Sequence, residues 1–336
     1  MTKIIKVDPD NPEEDKIKIP AKIIRKGGLV AFPTETVYGL GADGLSGSAV
    51  RKIFIAKNRP MDNPLILHVS DPSMIYEIAE ANEIAEELIE EFFPGPLTLV
   101  MRRKEVVPDE VTAGLDTVAV RMPSNKIALK LIELSGTPIS APSANIAGKP
   151  SPTKAEHVIE DLWGRIDCIV DGGETEIGIE STVVDVTTYP VEVLRPGGLE
   201  IERLREVVDV KFFKGDVSIP KSPGMKYRHY APDAQLQVIY GKKDEVVKKI
   251  CELYEKYTKK GLRVGLAVTD RKYYRAEVIE EMGKTPQEIA RNLFDVLRRL
   301  DKKSDIIIAE GIEERGLGFA IMNRLKKASN YQILRV

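Results

Sequence analysis

The chain has 336 residues, 43% of them hydrophobic and 30% charged, and 50 Lys and Arg against 52 Asp and Glu give a net charge of −2. That length predicts two domains of about 150 residues each, and the composition excludes intrinsic disorder and a surface built wholly to hold nucleic acid. Cys168, Cys251 and three histidines are too scattered for a disulfide framework or a structural zinc site.

Apolar runs such as Pro64-Leu65-Ile66-Leu67 are too short to cross a bilayer, and residues 1–10 lack the apolar stretch of a signal peptide, so a cytoplasmic protein is expected. From there strands and helices alternate. The run 29–32, between Gly-Gly and Pro, reads as a strand. Ser48 is expected to cap a helix carrying Val50, Ile53, Phe54 and Ala56 that ends before Pro60. A strand at 65–69 follows, then one long helix from Asp71 toward Phe93 with Ile75, Ile78, Ala79, Ile84, Leu88 and Phe92 near one face. Strands are predicted at 97–101, 118–120 and 139–141, with helices near 126–134 and 154–162. Segments 168–170, 181–186 and 192–194 come close together and read as a meander. The fold class is α/β in the mixed α+β sense.

Residues 211–233 hold Pro220, Pro223, Gly224 and Pro232, with five Lys/Arg against two Asp and no helical period. They read as a basic linker. Beyond it, strands at 236–240, 263–269 and 305–310 alternate with helices near 244–257 and 285–300, which predicts a small Rossmann-like α/β domain with a parallel sheet. The expected organisation is therefore a first domain over 1–210, the linker over 211–233 and a second domain over 234–336.

Two tempting motifs fail. Gly39-Leu40-Gly41-Ala42-Asp43-Gly44 fits the G-x-G-x-x-G string, but a dinucleotide site needs a helix beginning at the third glycine, and Leu45-Ser46-Gly47 follows instead. Gly283-Lys284-Thr285 lacks the earlier glycine of a phosphate loop, since position 278 is Val278. At most it is an anion-friendly helix start.

Polar residues gather instead in first-domain loops beside apolar strands: Thr34-Glu35-Thr36, Lys57-Asn58-Arg59, Asn63, His68, Thr117, Arg121, Ser140 to Asn145, Ser151, Ser181-Thr182 and Arg195. Cations on several loops suit a ligand with several anionic groups. Lys57 and Arg59 alternate past a helix end and are expected to project together into a cleft. A point charge beside a bidentate fork suits carboxylate, bicarbonate or phosphate. Ser143 and Asn145 suit a sugar, a phosphate or an amino-acid group. Each also has an ordinary reading: solvated helix end for Lys57 and Arg59, core histidine for His68, turn residue for Asn145, strand start for Ser181 and Thr182.

Seven motifs decide between these readings: Thr34-Glu35-Thr36-Val37-Tyr38-Gly39-Leu40, Lys57-Asn58-Arg59-Pro60, Asn63-Pro64-Leu65, Pro94-Gly95-Pro96-Leu97-Thr98, Arg121-Met122-Pro123, Ser140-Ala141-Pro142-Ser143-Ala144-Asn145 and Ser181-Thr182-Val183-Val184-Asp185. In this order, over about residues 10–205, they resemble the L-threonylcarbamoyladenylate synthases, the YrdC-like family. The segment Ser222-Pro223-Gly224-Met225-Lys226-Tyr227-Arg228-His229-Tyr230-Ala231-Pro232 resembles the long form of the family, which adds a C-terminal α/β domain.

The resemblance implies a YrdC-like twisted open sheet with helices. It also implies condensation of L-threonine, bicarbonate or CO2, and ATP into threonylcarbamoyl-AMP with release of pyrophosphate, for N6-threonylcarbamoyladenosine at position 37 of tRNAs reading ANN codons. By resemblance, Lys57 and Arg59 would be catalytic and handle bicarbonate and phosphate oxygens. Thr36, His68, Arg121, the Ala141 backbone and Ser181 would surround threonine. Arg59, Asn63, Thr117, Ser143, Asn145, Ser151 and Arg195 would contact ATP, and Tyr230 of the linker would close over it, with Lys226 and Arg228 reaching across the cleft. Mg²⁺ would arrive with ATP, with no metal site in the protein itself. The partners implied are a downstream tRNA threonylcarbamoyltransferase complex and a weak contact with tRNA, with no membrane. The rivals are a double-stranded RNA or tRNA-binding module without adenylate synthesis and a carbamoyltransferase using carbamoyl phosphate, as in the related hydrogenase-maturation proteins, whose zinc fingers are not expected in a chain with two cysteines.

Overall fold

Along the strand that begins at Val30, side chains alternate between two apolar clusters. Val30 and Phe32 pack with Ile17, Ile24, Ile127 and Leu131, whereas Ala31 packs with Val50, Ile53 and Leu67. A strand buried on both faces lies inside a sheet covered by helices on each side. The computed structural model describes residues 1–213 and 230–336. Most of the expected linker, with Lys226 and Arg228, lies outside the described residues. The chain forms two units. The first takes Met1–Ala147, Pro152–Glu176 and the described chain from Glu180 to residue 213; the second takes Gly148–Ser151, Ile177–Ile179 and 230–336.

The strands of the first unit are β1 (Lys3–Lys6), β2 (Val30–Pro33), β3 (Tyr38–Asp43), β4 (Ile66–His68), β5 (Ala79–Glu80), β6 (Leu97–Arg103), β7 (Thr117–Arg121), β8 (Ile139–Ser140), β9 (Cys168–Asp171), β10 (Thr182–Asp185), β11 (Val191–Arg195) and β12 (Val210–Phe212). They form one mixed sheet in the order β1-β9-β2-β3-β8-β4-β7-β6-β10-β11-β12, with β5 beside β6. In the second unit β13 (Gln235–Tyr240), β14 (Val264–Val268), β15 (Val278–Glu281), β16 (Ile306–Glu310) and β17 (Ile333–Arg335) form an all-parallel sheet in the order β15-β14-β16-β13-β17. The expected mixed and parallel classes are both present.

Several local expectations need correction. The long helix predicted from Asp71 toward Phe93 is two helices, Ser73–Ile78 and Glu83–Phe92. Between them Ala79 turns extended, β5 pairs with Arg102 and Arg103, and the Asn82 side chain caps the second helix by accepting from the Ala85 N–H at 2.9 Å. Apolar periodicity runs through the break because both helices bury the same side. Ser46, not Ser48, caps the helix Gly47–Lys57. Strand β9 does not join β10 and β11 in a meander. It lies between β1 and β2, parallel to both, because Cys168, Ile169 and Val170 are buried on both faces. Sequence reading also missed β1 and the helix Glu14–Arg25, whose interior Pro20 disguises an apolar face of Ile17, Ala21 and Ile24.

Both rejected motifs have structural explanations. Gly39 and Gly41 lie within β3, and a Cβ on Gly41 would sit 2.8 Å from Ile139 and Phe32 side-chain atoms. Gly44 faces Leu67 and the Pro138 carbonyl just as closely, so these glycines let strands approach and hold no phosphate. At Gly283-Lys284-Thr285, Thr285 caps the helix Pro286–Asp301 in a capping box, and the Glu288 carboxylate already accepts from the Lys284 and Thr285 amides at 2.8 and 3.0 Å.

Candidate active site

The turn joining β2 to β3 starts the site. Thr34 donates its hydroxyl to the Val37 carbonyl at 2.6 Å and bonds the Thr36 hydroxyl at 2.8 Å, which fixes the turn and points Thr36 and Glu35 inward. Both are buried, as is Arg121 at the end of β7. The Arg121 guanidinium donates from Nη1 to Thr36 Oγ1 at 2.9 Å, from Nη2 to Glu35 Oε1 at 2.6 Å, and from Nε to the Gly95 carbonyl at 3.3 Å. A guanidinium has five N–H donors. Three are engaged within the described residues, and one N–H on each terminal nitrogen is left. That is the donor pair a carboxylate takes.

Strand register sets His68 directly beside Arg121 and pairs Leu67 with Ser140 across β4 and β8. Burial, and then the Arg121 charge, push the His68 imidazole down to a pKa of about 3, so the ring is neutral. Its buried Nδ1 has no hydrogen-bond partner. The same holds for Glu35 Oε2, Ser140 Oγ and both polar atoms of the Asn63 carboxamide. Buried polar atoms are normally paired. Orphans on these strand ends and loops suit a polar ligand, although Thr188 and Ser304 carry orphaned atoms elsewhere.

A second buried cation, Lys57, ends the helix Gly47–Lys57, where Asn58 adopts a left-handed conformation that stops the helix. Its Nζ donates to the Ser143 and Asn145 carbonyls, the latter at 2.6 Å. Burial first, and the Arg59 charge next, hold its pKa well below the usual lysine value, with Asp161 acting in the opposite direction. Half-buried Arg59 turns elsewhere, onto the carbonyls of Asn63 and Pro64 at 3.3 and 3.2 Å. The two cations expected to project together therefore rest on different loops. One braces the 143–145 loop and the other the 63–64 loop.

The third buried cation is Arg195 on β11. Its Nη2 donates to Ser181 O at 3.0 Å and Ser181 Oγ at 3.2 Å, and Thr98 Oγ1 lies 2.8 Å from the same hydroxyl. Gly197 permits this close approach, because a Cβ there would lie 2.3 Å from the Glu180 carbonyl oxygen and Ser181 carbonyl carbon.

Thr36, His68 and Arg121 are thus brought together, as are Ser181 and Arg195, and Lys57, Ser143 and Asn145. The Ala141 amide is spent on the Ile66 carbonyl at 3.0 Å. Thr117 begins the strand that Arg121 ends, four residues or about 13 Å away. Ser151 and Tyr230 belong to the second unit, where the Tyr230 ring stacks on Phe294 at 5.4 Å with the Arg324 guanidinium 5.3 Å from its centroid. Glu35, Thr98 and Ser140 received no role from the sequence. For Glu35 a signal existed, a carboxylate in a polar turn hard against an apolar strand. Among the described residues no three His, Cys, Asp or Glu come together to ligate a metal, and no helix is long and apolar enough to cross a membrane.

Residues 22–197 match the Sua5/YciO/YrdC family model, described as telomere recombination, and residues 199–330 match the model described as threonylcarbamoyl-AMP synthase, C-terminal domain. The chain is 54% identical over 343 residues to the threonylcarbamoyl-AMP synthase of Pyrococcus abyssi, with all of both chains covered. It is 45% identical to that of Bacillus subtilis, covering 98% of this chain and 97% of the relative. With the Schizosaccharomyces pombe protein identity is 38%, over 96% of this chain and 90% of the other. The crystal structure of P. abyssi Sua5 complexed with L-threonine superposes with a TM-score of 0.97 at 54% identity, covering 100% of each chain.

Proposed function

Because the chain belongs to the Sua5/YciO/YrdC family and carries its threonylcarbamoyl-AMP synthase C-terminal domain, we propose that its site turns L-threonine, bicarbonate or CO2, and ATP into threonylcarbamoyl-AMP and pyrophosphate, the adenylate used to modify adenosine 37 of ANN-reading tRNAs. The observation that carries this reading is the end-to-end match to the P. abyssi enzyme, whose structure was solved with L-threonine.

Two steps make the product. The free threonine amine attacks CO2 with loss of a proton, or bicarbonate with loss of water, to give a carbamate, and a carbamate oxygen then attacks the α-phosphate and expels pyrophosphate. Both steps gather anionic oxygens, so fixed donors and charges serve better than a nucleophile. Arg121 offers the threonine carboxylate its two remaining N–H groups, held in place by Thr36, Glu35 and Gly95. Neutral His68, beside it in register, serves as an uncharged hydrogen-bonding wall. Ser181, braced by Thr98 and Arg195, completes the amino-acid pocket.

As an ammonium, Lys57 has a third N–H beyond the two engaged by carbonyls. That proton is left for a bicarbonate or phosphate oxygen, whose charge favours the ammonium form. Arg59, Asn63, Ser143, Asn145 and Arg195 take the nucleotide, with Thr117 assigned to it by family resemblance. Mg²⁺ enters as part of the MgATP substrate and neutralises the triphosphate. The labile product passes to a tRNA threonylcarbamoyltransferase complex, and the reaction belongs to the cytoplasm.

Incubation with MgATP, bicarbonate and each amino acid in turn, followed by pyrophosphate assay and mass analysis, tests the reading. Threonine alone should support pyrophosphate release and a threonylcarbamoyl-AMP mass. Release that does not depend on threonine would refute it.

A further inference from the structure

Arg121 and Glu35 form a buried ion pair of unusual economy. Arg–carboxylate pairs are frequently fork to fork, with both oxygens on the guanidinium. Here only Oε1 is engaged, at 2.6 Å from Nη2, while Nη1 is spent on Thr36. The second oxygen, Oε2, is buried and receives no hydrogen bond, in a side chain only 3% exposed. The other orphaned groups named above, His68 Nδ1, Ser140 Oγ and the Asn63 carboxamide, are neutral. An unpaired anionic oxygen is the costliest of these to bury, and its natural complement is a cation with N–H donors. The described protein brings no second cation to it.

We infer that Glu35 is the amine-binding residue of the amino-acid pocket: Oε2 receives the ammonium of the substrate whose carboxylate sits on the two remaining Arg121 N–H groups. An α-amino acid carries its ammonium one carbon from its carboxylate. A site that offers a guanidinium and, bonded to it, a carboxylate with one open oxygen is complementary to that pair of charges. Glu35 thereby selects an amino acid over a hydroxy acid and fixes the position of its nitrogen. The inference rests on the reading of L-threonine as substrate and adds to it a residue with a defined contact.

Calorimetric titration of the full chain and of Glu35→Gln tests it, using L-threonine and the 2,3-dihydroxybutanoate in which a hydroxyl replaces the amine. Loss of one charge-assisted contact should weaken threonine binding roughly 10- to 100-fold in E35Q, with dihydroxybutanoate binding changed less than about threefold. An equal loss for both ligands would mean that Glu35 merely steadies Arg121, and no loss for either would mean it does nothing in binding; each overturns the inference while leaving the threonine reading intact. A folded wild-type chain that binds no threonine would sink the reading itself, and the inference with it. Should E35Q fail to fold, a crystal structure of the wild-type chain with threonine decides. The amine nitrogen is expected about 3 Å from Oε2, and a separation beyond about 4 Å would overturn the assignment.

Discussion

Lys57 tests how burial shapes this site. Its side chain is 2% exposed, and its amine donates to the carbonyls of Ser143 and Asn145. Lys57→Met keeps most of the stem and removes the donor. The Ser143 carbonyl keeps the Asn145 N–H at 3.0 Å, so the loss falls on the Asn145 carbonyl at about 1–3 kcal/mol, and release from burying the amine offsets part of that. A net loss of about 1–2 kcal/mol is expected. The pH dependence is more telling. Burial holds the folded-state pKa of Lys57 well below the usual lysine value. Between that depressed value and about 10.4 the unfolded chain holds a proton that the folded chain releases, so stability rises with pH by up to about 1.4 kcal/mol per unit. The methionine variant lacks this contribution. The advantage of the wild type over K57M should therefore widen from about pH 7 to pH 10. Guanidinium unfolding followed by fluorescence of Trp163, the sole tryptophan and a residue of the first unit, measures the gap. A gap that stays level or narrows as pH rises would refute the reasoning.

Arg121→Lys removes the fork, so KM for threonine should rise roughly 10- to 100-fold while KM for ATP stays within about threefold, measured by pyrophosphate release. The His68 ring, with its pKa lowered to about 3, should show NMR resonances unchanged between about pH 5 and 8; its contribution to stability grows as pH rises from about 3 to 6.5, and an inflection near neutrality would contradict this. Thr98→Val deprives the Ser181 hydroxyl of its 2.8 Å partner and should raise KM for threonine about 3- to 10-fold, with Thr98→Ser restoring it. Gly197→Ala drives a methyl into the Glu180–Ser181 backbone and should cost about 1–3 kcal/mol, read as a lower Tm with reduced turnover; an unchanged Tm would count against the packing argument.

Strand and helix types were legible wherever local pattern and tertiary burial agreed. In the second unit β13, β14 and β16, and in the first β2, β6, β7 and β10, stand close to their expected places, whereas the edge strands β15 and β17 were not expected. The break at Ala79 was not, because Asn82 capping and pairing of β5 with β6 leave the apolar period untouched. Nor was the position of β9. Three buried residues in a row say that a strand is central, but not between which neighbours. Within the site, residue types announced a ligand with several anionic groups. They did not announce that Lys57 and Arg59 would brace separate loops, since that depends on the left-handed turn at Asn58 and on which carbonyls come within reach.

Chemistry and class can be read along the chain: seven ordered motifs place it in one family, and its charges and hydroxyls define the kind of ligand. Which polar atoms are satisfied follows from the folded arrangement of strands. Ser140 and Thr98 look like any buried residues, and Glu35 shows only as a carboxylate in a polar turn, until strand pairing sets Arg121 against one of its oxygens and leaves the other unmet. Satisfaction of a hydrogen-bonding group depends on partners distant in sequence, here 86 residues apart for Arg121 and Glu35. Local pattern carries no record of that distance.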